Sequence, residues 1–365
     1  MRYGPPGALT ILKLSSHRNI IEAIPAYKYT MGPKTKLLPL VLALGCGPTA
    51  CAEPAGSWHG PRVIIVGVDG LSVDGVNTAR VPRLRELMAR SAWTLEARAV
   101  LPTLSSPNWA SAINGASPAQ HGITSNGYFR HMVEFQPVCR TEDGKFPTIF
   151  GLMRASYPAS RIAVFHDWGG FADLLEKRAP DVLRHVAGAA KTTAAAVAYW
   201  TANRPALMFI HLDNVDHAGH AHGWLSKEYY KAVEDADGYL GQVLDMVDVL
   251  SARDSTYIIV TSDHGGNKHG HGKNSLAEIQ IPWILSGPGV TPAQIAVPVS
   301  ISDTALTVAW IFHLDPSECW IGRPVLSAFR PSLIAAHANA AAGSPLRDCA
   351  PAGQLTRAVF DGHTN

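Results

Sequence analysis

The chain is 365 residues long, with 47% hydrophobic and 16% charged residues and a formal net charge of +2. A chain of that length can bury a large core, and this balance offers no basic excess for a nucleic-acid polymer. Histidine is abundant at 16 residues, and His211, His217, His220, His222, His264, His269 and His271 crowd into two short segments.

Read in chain order, the first pattern is a leader. Met31 opens MGPKTKLLPLVLALGCGPTACAEPAG, in which two lysines precede an apolar stretch and Ala50-Cys51-Ala52 forms a small-x-small cleavage site. Residues 31–52 therefore read as a secretory signal, too short for a membrane span, after an upstream segment 1–30 with no pattern of its own. Export to a periplasm or the medium is expected, with lipidation at Cys46 the weaker option and no transmembrane anchor beyond the signal. Cys139, Cys319 and Cys349 remain after cleavage. Cys319 and Cys349 are the nearer pair, but spacing does not fix connectivity.

From residue 60 to 335 strand-like and helix-like segments alternate, consistent with a single domain, and a polar tail follows over 343–365. Short Val/Ile-rich runs predict strands at 62–68, 95–101, 161–165, 206–212, 256–262 and 281–286. Helices are predicted at 81–91, 107–114, 147–155, 170–178, 189–203, 227–250 and 303–313. Within 227–250, Tyr230, Val233, Leu240, Val243 and Val247 form one apolar stripe. This order predicts an α/β fold, a three-layer αβα sandwich around a mostly parallel sheet. Ligands of such sheets sit beyond the carboxyl ends of the strands.

Three aspartates stand at those ends. Asp69 closes RVIIVGVDG, Asp216 follows ALMFIHLDNVD, and Asp263 with His264 closes TYIIVTSDHGG. His220 lies four residues after Asp216, a spacing that shares one helical face, so the two can meet one ion. Asp213 in the same turn is a competitor, and His217 and His222 are expected to face solvent or to support the ligands. His271, glycine-flanked in GHG, suits a loop that wraps back to a metal, with His269 as the alternative. A hydroxyl from Thr103, Ser105 or Ser106 sits at a helix start in LPTLSSPNWAS, where free backbone N–H groups favour an anion. An ordinary helix cap is the competing use of such a serine. His166, Asp167 and Trp168, after the strand at 161–165, are placed as a packed turn or a pocket wall.

Taken together, VDG, SSPN, VDHAGH, SDHGG and the glycine-flanked histidine resemble, in order, the alkaline phosphatase superfamily. The nearest likeness is to its type I phosphodiesterase/nucleotide pyrophosphatase branch, over roughly 62–330. SPAQHGI and WIGRPVLSAF are similar to its connecting segments. The resemblance implies an alkaline-phosphatase-like fold and two divalent ions, normally zinc. Asp69, Asp263 and His264, with Ser105 as nucleophile, would hold one ion; Asp216, His220 and His271 would hold the other. It also implies that Asn108 contacts a phosphate oxygen and that the substrate is a small phosphate ester. Two departures stand out: serine replaces the usual threonine nucleophile, and the stretch from His121 to Asp216 is short. A sulfatase would need arginine where Trp109 stands. A phosphomonoesterase would share the metal core but need extra cationic groups.

Overall fold

Strands that end in the three aspartates turn out to be immediate neighbours. The structure, a computed structural model, describes residues 58–127 and 136–343. The expected signal at 31–52, the tail beyond 343, Cys46 and Cys349 lie outside the described residues. Eight strands form one sheet: β1 (Arg62–Val68), β2 (Ala92–Arg98), β3 (Ile162–His166), β4 (Val182–His185), β5 (Leu207–Leu212), β6 (Thr256–Thr261), β7 (Gln280–Ser286) and β8 (Ala293–Gln294). Their spatial order is β4-β3-β5-β1-β6-β7-β2-β8. β7 runs antiparallel to β6 and β2, while the other pairings are parallel. Val63 pairs with Leu207 on one side and Tyr257 on the other, so the carboxyl ends of β5, β1 and β6 lie side by side.

Alternation along β1 builds the two faces. Val63 and Ile65 pack with the helices Ser105–Asn114, Ile149–Ser156 and Asp303–Ile311. Ile64, Val66 and Val68 pack with the helices Pro82–Met88, Ala189–Asn203 and Lys227–Val249. Both faces are covered, which is why β1, β5 and β6 read as unbroken apolar runs. The result is the three-layer α/β sandwich expected from the sequence.

Several details differ from expectation. The strand predicted at 95–101 begins at Ala92, because residues 92–94 pair with Trp283–Leu285 before a register shift between Thr94 and Ala97. The helix predicted at 170–178 is only a 3-10 turn, Gly169–Asp173. Beyond it Glu176 turns inward and accepts the backbone N–H of Thr148 at 3.0 Å and the Thr148 hydroxyl. The stripe on Lys227–Val249 runs through Tyr229, which is fully buried; Tyr230 instead reaches Asp74 at 2.6 Å. The helix predicted from 107 starts at Ser105, two residues earlier. As their spacing implied, Asp216 and His220 sit on one helix, Asn214–His222. Cys319 is bonded to Cys139, 180 residues away, a pairing that the spacing had left open.

Candidate metal centre and nucleophile

The turn after β1 touches everything else in the site. Asp69 leaves the strand with its N–H on Leu212 O at 2.9 Å. Gly70 follows at φ 69°, and a Cβ there would lie 2.8 Å from the Asp216 Cα. Glycine is needed on both counts, for the left-handed turn and for the close approach of the helix Asn214–His222. Gly70 N also donates to Asp263 Oδ1 at 3.1 Å. One dipeptide thus locks the ends of β5 and β6 to that of β1.

Around Asp69 a first triad forms. Its Oδ2 accepts from Trp109 Nε1 at 2.9 Å and from His211 Nε2 at 3.1 Å. Its Oδ1 is buried with no hydrogen-bond partner, and so is Asp263 Oδ2. His264 Nδ1 lies 2.8 Å from Gly265 O, which places the ring proton there and leaves Nε2 a lone pair. That Nε2 is 3.1 Å from Asp263 Oδ2, 3.5 Å from Asp69 Oδ1 and 3.3 Å from Ser105 Oγ.

A second triad stands beside it. His220 Nε2 is 3.4 Å from Asp216 Oδ2, and His271 Nε2 is 3.6 Å from Asp216 Oδ1. His220 Nδ1 meets His269 O at 3.0 Å and His271 Nδ1 meets Thr103 O at 2.7 Å. Both rings therefore carry their proton on Nδ1, and their Nε2 lone pairs face each other at 3.0 Å. Two lone pairs so close repel unless a cation lies between them. The His264 and His271 rings stack at 3.7 Å and join the triads.

The donor set fits divalent cations. Asp69, Asp263 and His264 bring ligand atoms within 4.8 Å of one another, and so do Asp216, His220 and His271. Buried carboxylates without a counter-charge are expensive. Among the described residues no lysine or arginine hydrogen-bonds or ion-pairs with any of these six groups or with Ser105. Oxygen and imidazole donors with no thiolate suit zinc or manganese.

The protonation pattern reports the same shortage of positive charge. Burial works against the ionised Asp69, but the His211 hydrogen bond, the neighbouring His264 ring and the Trp109 N–H hold it below the usual carboxylate range. Burial, then the charges of Asp69 and Asp216, push Asp263 well up. Burial, then Asp69 and Asp213, push Asp216 up to about 9. Burial and then His271 push His264 down to about 3. Packed together and buried, the carboxyls oppose one another's ionisation, a penalty that a cation would relieve.

The competing residues sort themselves by partner. Ser105, the first residue of its helix, is the hydroxyl facing His264. Thr103 Oγ1 donates to Lys273 O at 2.6 Å and accepts from Gly272 N at 3.0 Å, so it straps down the His271 loop. His269 accepts His220's proton on its carbonyl and sends its own Nδ1 toward His220 O at 3.2 Å. His217 and His222 are exposed. Asp213 lies within reach of Asp69 and Asp216, and burial and then the Asp69 charge push it up to about 8. Asp167 holds Gly188 N and Asp213 N, and His166 is buried with Nδ1 on Trp168 O at 2.7 Å.

Asn108 is a correction. Its amide nitrogen donates to Val100 O, Pro102 O and Leu104 O at 3.2, 3.1 and 3.0 Å. Its Oδ1 accepts from Val100 N at 2.7 Å, so the whole side chain is consumed in shaping the loop before the helix and cannot contact a phosphate. Sequence reasoning missed Asn126, whose Oδ1 accepts from Ser106 N at 2.9 Å beside Ser105. An asparagine in Thr-Ser-Asn-Gly carried no signal beyond a turn. It also missed Trp109 and His211 as the groups behind Asp69.

The family model for type I phosphodiesterase/nucleotide pyrophosphatase matches residues 63–276. The chain is 25% identical over 224 residues to human ectonucleotide pyrophosphatase/phosphodiesterase family member 1, covering 58% of this chain and 24% of that protein. The fold is similar to murine ectonucleotide pyrophosphatase/phosphodiesterase 5 in complex with AMP, with a TM-score of 0.63 and 16% identity over 74% of this chain and 100% of that one. A 2-O GAG sulfatase is similar at a TM-score of 0.60 and 16% identity, over 74% of each chain. The chain spans about a quarter of the first of these relatives. With three-fifths of its length inside the matched span, it belongs to the type I phosphodiesterase/nucleotide pyrophosphatase family.

Proposed function

We propose that this chain hydrolyses phosphodiester or pyrophosphate bonds of small nucleotide-like substrates through a covalent phosphoseryl intermediate on Ser105. The carrying observation is Ser105 Oγ, 3.3 Å from His264 Nε2, at the head of two Asp/His triads with orphaned carboxylate oxygens. Asp69, Asp263, His264 and Ser105 would hold one divalent ion and Asp216, His220 and His271 a second, most simply zinc. When bound, such a pair activates a hydroxyl and offsets charge on attacking and leaving oxygens.

The chain's own groups do the rest. Ser105 attacks phosphorus in line, the P–O bond to the leaving group breaks, and the alcohol or phosphate departs with a proton. Asn126 is held through its Oδ1, which leaves its amide N–H groups to donate to a non-bridging oxygen. The start of the helix Ser105–Asn114 adds its positive end. Water then cleaves the Ser105–phosphorus bond, returning the hydroxyl and releasing a monoester. Among the described residues no lysine or arginine hydrogen-bonds or ion-pairs with the ligand groups, which favours a singly charged diester over a doubly charged monoester. Trp109 on Asp69 stands against a sulfatase. We also infer export, supported by the signal-like pattern at 31–52 and by the Cys139–Cys319 bond, which suits an oxidising compartment.

The test compares nitrophenyl phosphodiester, pyrophosphate, phosphomonoester and sulfate ester turnover by the metal-loaded protein. Diester or pyrophosphate should lead. Ser105→Ala should keep its ions and lose roughly 10⁴-fold or more in kcat; near wild-type turnover would remove Ser105 as nucleophile.

A further inference from the structure

His211, the last residue but one of β5, has no exposure and lies among aromatic rings, 5.1 Å from Trp109, 5.2 Å from Phe171 and 6.2 Å from Trp168 between centroids. An apolar residue would fill that position without leaving polar atoms behind. Its Nε2 meets the acceptor-only carboxylate of Asp69, so the ring proton sits on Nε2 and Nδ1 is bare. Nδ1 has no hydrogen-bond partner among the described residues. His166, in register across the β3–β5 pair, has an unpartnered Nε2 as well. An orphaned acceptor in a dry core costs stability, so packing does not account for this imidazole.

What it does account for is Asp69. Its N–H and that of Trp109 arrive together on Oδ2, at 3.1 and 2.9 Å, and leave Oδ1 as the carboxylate's unpartnered oxygen. The approach of the indole is enabled at Gly67, where a Cβ would lie 2.5 Å from Trp109. On Asp263 the donor to Oδ1 is instead a backbone group, the N–H of Gly70. Asp69 alone in the first triad is held by two side chains.

We propose that His211 and Trp109 are positioning residues that make Asp69 a one-oxygen metal ligand. They aim Oδ1 toward His264 and keep Oδ2 from competing with Ser105 for the ion. This rests on the two-ion reading above. Once Oδ2 is taken, the ion keeps a position open for Ser105 and substrate.

The experiment measures divalent-ion affinity of the full chain by chelator competition, together with the absorption spectrum of the cobalt-loaded protein and circular dichroism. His211→Phe and Trp109→Phe should each weaken one of the two ions about 10- to 100-fold, leave the other unchanged and alter the cobalt bands. His211→Gln, which can return an N–H near the same place, should recover most of that loss. A folded His211→Phe or Trp109→Phe protein binding both ions at wild-type affinity overturns the proposal. Wild-type protein that binds no divalent ion would instead overturn the two-ion reading beneath it.

Discussion

The two ligand triads are one ring stack apart yet built from different material. Asp69, Asp263 and His264 are at most 1% exposed and grow from the ends of adjacent central strands. In the second triad the His220 side chain is 46% exposed, and the ligands come from a short helix and a glycine-flanked loop. Strand ends held by two neighbours barely move, whereas a helix turn and a loop are drawn from the softer part of a fold. On the two-ion reading proposed above, the inner triad would fix the nucleophile and the outer one would admit substrate and exchange its ion.

The largest effect should come from the inner triad. Asp263→Asn should remove one ion and lower kcat about 10³-fold or more, in the range seen when a preorganised group is lost. His220→Gln should lose less and recover with excess metal. Metal content and turnover measured side by side check this, and a His220 variant that is the more damaging would reverse the assignment. Dilute chelator should strip the wild-type protein in two phases, the outer ion first.

A pH dependence separates the charge balance from the chemistry. In metal-free protein, Asp216 keeps its proton up to about 9, while the unfolded chain releases it near 3.8. The folded state then binds more protons, so this contribution is complete below 3.8 and disappears as pH rises toward 9. Asp213 and Asp263 act in the same direction. Buried histidines such as His264 oppose the trend below their ordinary 6.5. Denaturation midpoints of the metal-free protein should therefore fall between pH 6.5 and 9. Bound ions should flatten that slope. A flat metal-free profile would argue against the protonated carboxyls.

Thr103→Val should have the smallest effect. Losing two hydrogen bonds to the His271 loop costs about 1–2 kcal/mol, read as a modestly weaker outer ion with the inner one unchanged.

Much of this was legible because buried parallel strands are continuous apolar runs, and an aspartate that ends one is conspicuous. What the runs could not reveal is that β5, β1 and β6 are adjacent, since that is decided by crossovers. β4 and β8, four and two residues long at the sheet edges, have no pattern to read. Asn108 misled because Pro-Asn beside a serine resembles a ligand motif, although its amide satisfies backbone carbonyls. His211 was hidden by its place inside a strand, where an imidazole reads as one more core residue. Tyr229 and Tyr230 differ by one step of a helix, and only packing chooses between them.

The Cys139–Cys319 bond closes a covalent ring that contains Asp216, His220, Asp263, His264 and His271 and leaves Asp69 and Ser105 outside. Chain-entropy arguments give a loop of that size about 5 kcal/mol of restraint on the unfolded state. Synthesis must pass residue 319 before the ring can shut. A protease that nicks the backbone once within the ring should leave two fragments travelling as one until a thiol reductant parts them.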